Sequence, residues 1–371
     1  MASCKKDDNK PGTVKGPSTD SLQRILNKYT AAGVPGAIIT LKNSKGYWTG
    51  TAGFSSLENQ TPMSDQVLLY GFSITKMVTA ISVMQMKENG LIDLDRPIRD
   101  YLPASLHDVV PNTSTVTVKM LLNQTSGYND YVRTDAFAAI FRSDPMKVWT
   151  RNEYYDFFRQ NISNSFPPGS DFQYSNTNYY LLSVIIDHIT GRPHSEWFQQ
   201  KIFNRLSLTK TYYKDSPGYP LYNQLPEAYW PSLADGQTEN ISDPQRAWMM
   251  SEEYGATGII ASPKDYIRLL EGLVNGELVS GTSFGQMKQW VTGSTSQEPD
   301  YGFGLCYWGY KGKTQFGHDG DGIGSTIELI YFPQSKTYLL AAANGTTEFG
   351  GNMAQQLFGF RNEVAEYLAG F

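Results

Sequence analysis

The sequence predicts an α+β fold in which an antiparallel sheet is flanked by helices and carries an inserted all-helical region. Segments with the apolar–polar alternation of β-strands are concentrated between about residues 36 and 53 and again after Gly258. Between them the chain reads as helical segments joined by long loops that are rich in Pro, Asn and Tyr. Strand-rich ends around a helical middle indicate that both ends of the chain share one sheet.

The domain boundaries follow from the same pattern. Residues 1–18 are polar and lack periodicity, which predicts a flexible tether. We expect a single domain over residues 19–371. Its α/β part covers about residues 19–70 and 255–371, and its helical part covers about residues 71–254.

The first predicted elements are a helix and a hairpin. A helix covers about residues 20–31, with Asp20 or Ser21 as its cap. Two alternating strands at 36–40 and 47–53 then form a hairpin.

The remaining elements follow in chain order. A long apolar helix begins at Ser73 and ends at Gly90, and its continuous apolar surface predicts a central, buried position. Further helices are predicted near residues 117–123, 144–160, 176–190 and 194–206 and over the last twenty residues, and strands at 302–308, 313–316, 325–331 and 337–342.

Composition excludes several classes of function. The 371 residues are 40% apolar and 18% charged, which is typical of a globular protein with a large core. A net charge of −5 without a run of Lys or Arg argues against nucleic-acid binding. The histidines lack metal-ligand spacing and no Cys-x-x-Cys is present, so we expect neither a metal nor a cofactor.

The tail contains one further pattern. Residues 3–8 resemble the mature start of a bacterial lipoprotein, in which the cysteine is lipidated. This resemblance predicts a lipid anchor through Cys4 and a place in the bacterial cell envelope, periplasmic or at the surface. An ordinary charged tail with an idle cysteine is the alternative.

The strongest chemical pattern is the pair Ser73 and Lys76. A spacing of three places both side chains on one helix face, at the N-terminal end where the helix dipole favours negative charge. Loss of water there favours a neutral lysine, which can accept the proton of the serine. Ser-x-x-Lys also occurs at Ser3 and Ser207, but those copies lie in the tail and in a polar turn. The alternative is a helix cap followed by a surface lysine.

Two further motifs carry groups able to do chemistry. Tyr174 and Asn176 precede a predicted helix: a tyrosine near a lysine can have a lowered pKa and relay protons, and an asparagine can hold a substrate amide. The alternative is a capping loop with Asn176 as N-cap. The segment 317–321 is expected to join two strands, and its glycine would let another backbone approach, such as a substrate along the sheet edge.

Together, in this order, the three motifs resemble the serine penicillin-recognising family. This family comprises class C β-lactamases, D-alanyl-D-alanine carboxypeptidases, related esterases and D-aminopeptidases. The resemblance runs from about Asp20 to the C-terminus and includes further landmarks at residues 33–36, 121–127, 166–169 and 301–304. It implies a β-lactamase/transpeptidase-like fold for the catalytic domain.

The resemblance also implies roles for the matching residues. Ser73 attacks a carbonyl and is acylated, Lys76 and Tyr174 transfer protons, and water then hydrolyses the acyl-enzyme. His318 stands where many members have a catalytic lysine. The substrate-binding set would be Asn176 for the substrate amide, Gly320 at the sheet edge, Asp319 at the carboxylate subsite, and the backbone N–H of Asp321, with that of Ser73, as the oxyanion hole.

Asp319 departs from the family pattern, in which a threonine helps to hold the substrate carboxylate. If its side chain faces the cleft, two like charges at about 4 Å repel by about 1–4 kcal/mol. The substrate would then be a neutral ester or an amine. If Asp319 points away or pairs with a cation, this argument does not apply.

Several functions remain open on the sequence. The broad expectation is a serine hydrolase acting on an amide, peptide or β-lactam-like carbonyl of a small-molecule or peptidoglycan-derived substrate. A carboxylesterase or D-aminopeptidase, or an inactive surface binding protein, are alternatives, and we expect a monomer. A rival nucleophile is Ser283 in Gly-Thr-Ser-Phe-Gly, which resembles the α/β-hydrolase elbow, but no β–α alternation precedes it and we interpret Ser283 as a helix cap.

Overall fold

The computed structural model describes residues 17–371 apart from a few short gaps. The predicted tether up to residue 16, with Cys4 and the first Ser-x-x-Lys, lies outside the described residues. The gaps are residues 215, 217–218, 220–221, 232–236, 252–254, 294–298, 311 and 349.

An eight-stranded antiparallel sheet organises the fold. In spatial order the strands are β3-β2-β1-β13-β12-β11-β10-β9, so the N-terminal hairpin pairs with the last strand. This confirms that both ends of the chain share one sheet. The strands of this sheet are β1 (Gly36–Asn43), β2 (Gly46–Ser56), β3 (Thr61–Pro62), β9 (Asp300–Tyr301), β10 (Cys306–Tyr310), β11 (Lys313–Gly322), β12 (Ser325–Phe332) and β13 (Thr337–Ala343).

Helices cover both faces of the sheet. Alternate residues of β1 separate the two cores: Ile39 packs with the terminal helices on one face, and Ile38 packs with the central helix on the other. The described helices are α1 (Thr19–Ala31), α2 (Thr75–Glu88), α3 (Val118–Leu122), α4 (Asp135–Ser143), α5 (Arg151–Asn161), α6 (Asn176–Thr190), α7 (His194–Trp197), α8 (Ser242–Met250), α9 (Pro263–Val274), α10 (Gly281–Met287) and α11 (Gly351–Ala369). None of them combines the length and apolar character needed to cross a bilayer.

The region between residues 71 and 254 is largely helical but not entirely so. Three short strands lie inside it, so the prediction of an all-helical insertion is wrong in detail. One of them pairs with β8, which also pairs with β4, and the other two pair with each other. The strands outside the large sheet are β4 (Leu69–Tyr70), β5 (Thr211–Tyr212), β6 (Tyr229–Pro231), β7 (Thr238–Asn240) and β8 (Ile260–Ala261).

The central helix α2 is buried on all sides, as its apolar surface predicts. Every residue from 75 to 86 is buried. Its polar side chains are hydrogen-bonded: the Thr79 hydroxyl donates to the Gly255 carbonyl at 2.7 Å, and Gln85 donates to the Leu278 carbonyl at 3.0 Å. Such pairing is what burial of polar groups requires.

Two predicted elements differ from the structure. The helix expected over 144–160 begins only at Arg151, because Asp144 leaves helical geometry ahead of Pro145 and Thr150 starts α5 with a capping box to Glu153. The strand expected over 302–308 begins only at Cys306, since Gly304 has a φ of 65°.

Candidate active site

Ser73 lies in a 3₁₀ turn, Phe72–Ile74, that leads directly into α2. Its neighbour Phe72 has a φ of 42°, which is uncommon for a bulky residue. The turn is fixed from outside, because the Gly71 N–H donates to the Ile259 carbonyl at 2.8 Å. The surrounding structure therefore holds a strained backbone that presents the half-buried Ser73 at the end of the buried helix.

Lys76 is fully buried and its Nζ contacts three oxygen atoms. It lies 2.9 Å from Ser73 Oγ, 2.6 Å from Asn176 Oδ1 and 3.3 Å from the Ala256 carbonyl oxygen. The amide and carbonyl oxygens can only accept, whereas the serine hydroxyl can donate or accept. A proton can therefore move from Ser73 to a neutral Lys76 while the other two hydrogen bonds stay in place.

Asp130 completes the support of the lysine and was missed by the sequence reasoning. Asn176 Nδ2 donates to Asp130 Oδ2 at 3.0 Å, so the two ends of the Asn176 amide bind Asp130 and Lys76. Burial raises the pKa of Asp130, against the opposing charges of Arg133 and Lys76. This arrangement fixes which end of the amide faces the lysine. Binding of a substrate amide by Asn176, which begins α6 rather than capping it, stays a prediction.

Tyr174 lies beside both reacting groups. Lys76 Nζ is 4.9 Å from the centre of its ring, and its hydroxyl hydrogen-bonds with Ser73. The expectation of a lowered pKa is wrong: burial raises the pKa of Tyr174 well above its usual value and outweighs the effect of the hydrogen bond with Ser73. Tyr174 is therefore protonated at neutral pH and can donate a proton.

His318 is buried and neutral. Its Nδ1 lies 2.6 Å from the carbonyl oxygen of Asp319 and must donate there, so its Nε2 accepts from the Tyr301 hydroxyl at 3.1 Å. Burial lowers its pKa to about 4, although the charge of Asp319 opposes this. Its ring centre is 6.4 Å from that of Tyr174, and the described residues that line the cleft do not include it. A direct catalytic role for His318 stays a prediction.

The segment 317–321 does not join two strands, as expected, but lies inside β11. Side chains therefore alternate between its two faces. Gly320 and Gly322 face the nucleophile turn, where a Cβ would overlap the Gly71 carbonyl oxygen or the Phe72 ring. These two glycines let β11 lie close to the turn that carries Ser73. Binding of a substrate along this strand edge stays a prediction.

Asp319 and Asp321 face the opposite side of β11 and bind Arg361 of α11. Arg361 Nη2 lies 2.6 Å from Asp319 Oδ2, and its Nη1 lies 2.7 Å from Asp321 Oδ2. The structure thus supports the alternative in which Asp319 pairs with a cation, and the argument from charge repulsion does not apply. A role for the Asp321 N–H in an oxyanion hole is unaffected, because a backbone group does not depend on where the side chain points.

A cleft of about 320 Å³ opens above Ser73. Ser73, Tyr174, Asn176 and Asp321 form its polar end. Its other walls are mainly apolar and aromatic, and Arg133 and Glu348 line it 3.5 Å apart as an ion pair. The apolar and aromatic lining residues are Phe72, Val132, Phe137, Ala138, Phe141, Trp248 and Ile323.

The comparisons with known proteins agree with this geometry. The β-lactamase family model matches residues 22–358. The chain belongs to the β-lactamase family. Its fold is accordingly the β-lactamase-like α+β fold.

Relatives in this family are distant in sequence. PbpX of Bacillus subtilis (strain 168) is 27% identical over 293 residues, which are 78% of this chain and 66% of that protein. The chain spans about half to two thirds of the length of the curated relatives it matches.

Solved structures cover nearly the whole fold. The D-amino acid amidase from Ochrobactrum anthropi SV3, complexed with L-phenylalanine amide, has a TM-score of 0.80 at 25% identity and covers 94% of this chain and 97% of its own. A D-stereospecific amidohydrolase from a Streptomyces species has a TM-score of 0.77 at 25% identity, with coverage of 92% and 98%.

Three side chains next to the β-lactamase-type site could in principle hold a metal ion. Cys306, His318 and Asp319 place potential ligand atoms within 4.8 Å of one another. Burial raises the pKa of the Cys306 thiol, Asp319 binds Arg361, and His318 Nδ1 donates to a carbonyl. A thiol that stays protonated and an adjacent guanidinium disfavour a cation here.

The rival nucleophiles lie away from this β-lactamase-type cleft. Ser207 has a φ of 55° and stands in a turn, and neither it nor Lys210 lines the cleft among the described residues. Ser283 is inside α10, and the cap is Ser280, whose hydroxyl accepts from the Ser283 N–H at 3.2 Å. The expectation that Ser283 caps the helix is therefore wrong by one turn.

Proposed function

We propose that the protein is a serine amidohydrolase that cleaves the amide of a hydrophobic, preferentially aromatic, amino acid through an acyl-enzyme on Ser73. The contact that carries the proposal is the one between Lys76 Nζ and Ser73 Oγ at 2.9 Å, at the bottom of an apolar cleft. A buried amine beside a serine hydroxyl is the arrangement that activates a serine without a histidine.

The steps use groups already in contact. Ser73 Oγ bonds to the carbonyl carbon while its proton passes to Lys76, and the carbonyl electron pair forms an oxyanion. As the C–N bond breaks, Tyr174 gives its proton to the departing amine and regains one from Lys76. A water molecule then attacks the acyl carbon and loses its proton to the same pair, which frees Ser73 and the carboxylic acid product.

The lining of the cleft supports the choice of acyl group. Phe137 and Trp248 are in edge-to-face contact with ring centres 5.3 Å apart, and Phe141 lines the same cleft. Aromatic side chains gain additional energy from such ring contacts. We infer that these rings receive an apolar or aromatic substrate side chain.

The charges near the cleft support a substrate without a carboxylate beside the scissile bond. His318 is neutral where many family members carry lysine, and Arg133, the one cation among the described residues lining the cleft, lies beside Glu348. By their names, the two similar structures at 25% identity are a D-amino acid amidase and a D-stereospecific amidohydrolase. D-Phenylalanine amide is therefore the first substrate to test.

The experiment measures ammonia release from D-phenylalanine amide, L-phenylalanine amide and D-alanine amide. We expect the fastest turnover with D-phenylalanine amide and none with the Ser73→Ala variant. Absence of turnover with all three amides, while wild type hydrolyses a penicillin, would contradict the proposal and favour a β-lactamase. Failure of a fluorophosphonate to label Ser73 would favour the inactive binding protein.

Ester hydrolysis is a second candidate, favoured because His318 is neutral and Arg133 lies beside Glu348. A p-nitrophenolate leaves without a proton, whereas an amine does not, so the two activities depend differently on Tyr174. We expect Tyr174→Phe to lower amide turnover much more than p-nitrophenyl acetate turnover. Equal losses would show that Tyr174 does not protonate the leaving group.

The location of the protein in the cell is part of the same proposal. A lipid anchor through Cys4 would hold it in the cell envelope, where peptidoglycan-derived compounds supply D-amino acids. Loss of membrane attachment in Cys4→Ser, measured by fractionation of the producing cells, tests this anchor; equal attachment of both proteins would contradict it.

A further inference from the structure

We propose that Arg361 is a positioning residue for the reaction: it fixes the backbone of residues 319–321, and through it the oxyanion-binding edge of β11. This inference rests on the proposed serine chemistry at Ser73 but adds a residue from the last described helix, which does not touch the substrate. It is carried by the hydrogen bonds of one guanidinium to four side chains.

The guanidinium spans two adjacent strands. Its Nε donates to Glu328 at 2.6 Å, its Nη1 to Asp321 at 2.7 Å and to Thr326 at 3.1 Å, and its Nη2 to Asp319 at 2.6 Å. In the sheet Asp319 pairs with Glu328 and Asp321 pairs with Thr326. Arg361 therefore binds two cross-strand pairs of the β11–β12 hairpin that lie on the same face, on either side of the pair Gly320 and Ile327.

The contacts of Arg361 lie on the face of β11 opposite the Ser73 turn. On the opposite face of the same strand, Gly320 packs against the Gly71 carbonyl and Gly322 packs against the Phe72 ring. On the edge of β11 that faces β10, pairing ends at Gly317, and among the described residues no strand pairs with residues 318–322 along that edge. Arg361, bound to the other face of β11, holds residues 319–321 in part as a neighbouring strand would.

The charges around Arg361 differ from those of an exposed ion pair, in which lysine could replace arginine. Three carboxylates, those of Asp319, Asp321 and Glu328, surround one buried guanidinium. Asp321 also accepts from the Thr347 hydroxyl at 2.8 Å, next to Glu348 of the cleft. Planar, forked donors suit such a set, and a lysine has only one nitrogen to offer.

The test compares Arg361→Lys with a matched control, Arg268→Lys. Arg268 lies on α9 and binds Glu277 at 2.6 Å away from the cleft. A fluorophosphonate is the probe: Ser73 Oγ bonds to phosphorus and fluoride leaves. We expect labelling at least about tenfold slower in Arg361→Lys, as oxyanion donors are displaced, and unchanged in Arg268→Lys. Equal rates in wild type and Arg361→Lys would overturn the proposal.

A second measurement separates positioning from general loss of stability. Amide hydrogen exchange should accelerate in residues 318–322 of Arg361→Lys but not in β13, which lies in the same sheet. Acceleration in both segments, or in neither, would overturn the inference. If wild-type Ser73 were not labelled, the proposed function would fail, and the exchange pattern alone would still decide whether Arg361 fixes this edge.

Discussion

The two walls that meet at Ser73 are built on opposite plans. On the helical wall, Lys76 and Tyr174 place their side chains on the nucleophile and Asn176 holds the lysine. On the sheet wall, the side chains of Asp319 and Asp321 turn away to Arg361, and glycines bring the strand against the nucleophile turn. One wall therefore acts through functional groups and the other through its backbone. Substitutions on the helical wall should lower activity by removing a functional group. Substitutions on the sheet wall should lower it by displacing the backbone of β11.

The largest effect is expected from Lys76→Met on the helical wall. Loss of the proton acceptor should lower the rate of Ser73 acylation by about 10²–10⁴. Single-turnover kinetics with D-phenylalanine amide measures this rate. Lys87→Met, near the end of the same helix, is the control and should behave as wild type. A Lys76→Met variant with more than about a tenth of the wild-type rate would rule out this role.

Gly322→Ala tests the sheet wall without touching a functional group. The added methyl would overlap the Phe72 ring, so the nucleophile turn must shift, and we expect kcat/KM to fall by about 10². In the control Gly309→Ala, on β10, the nearest atom to the new Cβ is 3.7 Å away. Equal activity of the two variants would contradict a tight fit between strand and turn.

His318→Gln should change the dependence of stability on pH. The pKa of His318 is lowered from 6.5 to about 4, so below pH 6.5 the unfolded chain binds a proton that the folded protein does not. Wild type should lose about 3 kcal/mol of its unfolding free energy between pH 6.5 and 4 through this residue. Denaturant melts at several pH values should show a smaller loss in His318→Gln and an unchanged loss in the exposed control His188→Gln. A steeper loss of unfolding free energy in His318→Gln than in wild type would contradict a neutral His318 in the folded protein.

The smallest gain is expected from Asp319→Thr, which restores the residue of the family pattern. Because Asp319 binds Arg361 on the far face of β11, its replacement should not create a carboxylate subsite. We expect penicillin acylation of Ser73 to rise by less than about threefold, because no contact to the ligand is gained. Intact-mass kinetics measures it. A large gain would show that the side chain does reach the cleft.

The part of the site that could be predicted from sequence lies on short local spacings. Ser73 and Lys76 are one helical turn apart, and Tyr174 directly precedes α6, so the chain itself brings these groups to helix ends. The central helix and the shared sheet were predictable for the same reason, because apolar periodicity is a local property.

The missed residues act over long sequence separations. Asp130 carries no pattern that links it to Lys76. For Arg361 a signal existed: Glu328 lies between the apolar Ile327 and Leu329, and Asp319 and Asp321 share a face only if their segment is a strand. Buried carboxylates are usually paired with a cation. Recognising residues 317–321 as part of a strand would therefore have predicted a cationic partner, although not that the partner is Arg361.

The order of strands in the sheet has a consequence for biosynthesis. β13 lies between β1 and β12, so the N-terminal hairpin has no neighbour in the rest of the sheet until residues 337–343 have left the ribosome. Arg361 follows later still, on a helix that packs beside α1. A nascent chain thus carries its Ser–Lys pair long before the opposite wall exists, and the two walls can meet only after β13 and Arg361 have emerged.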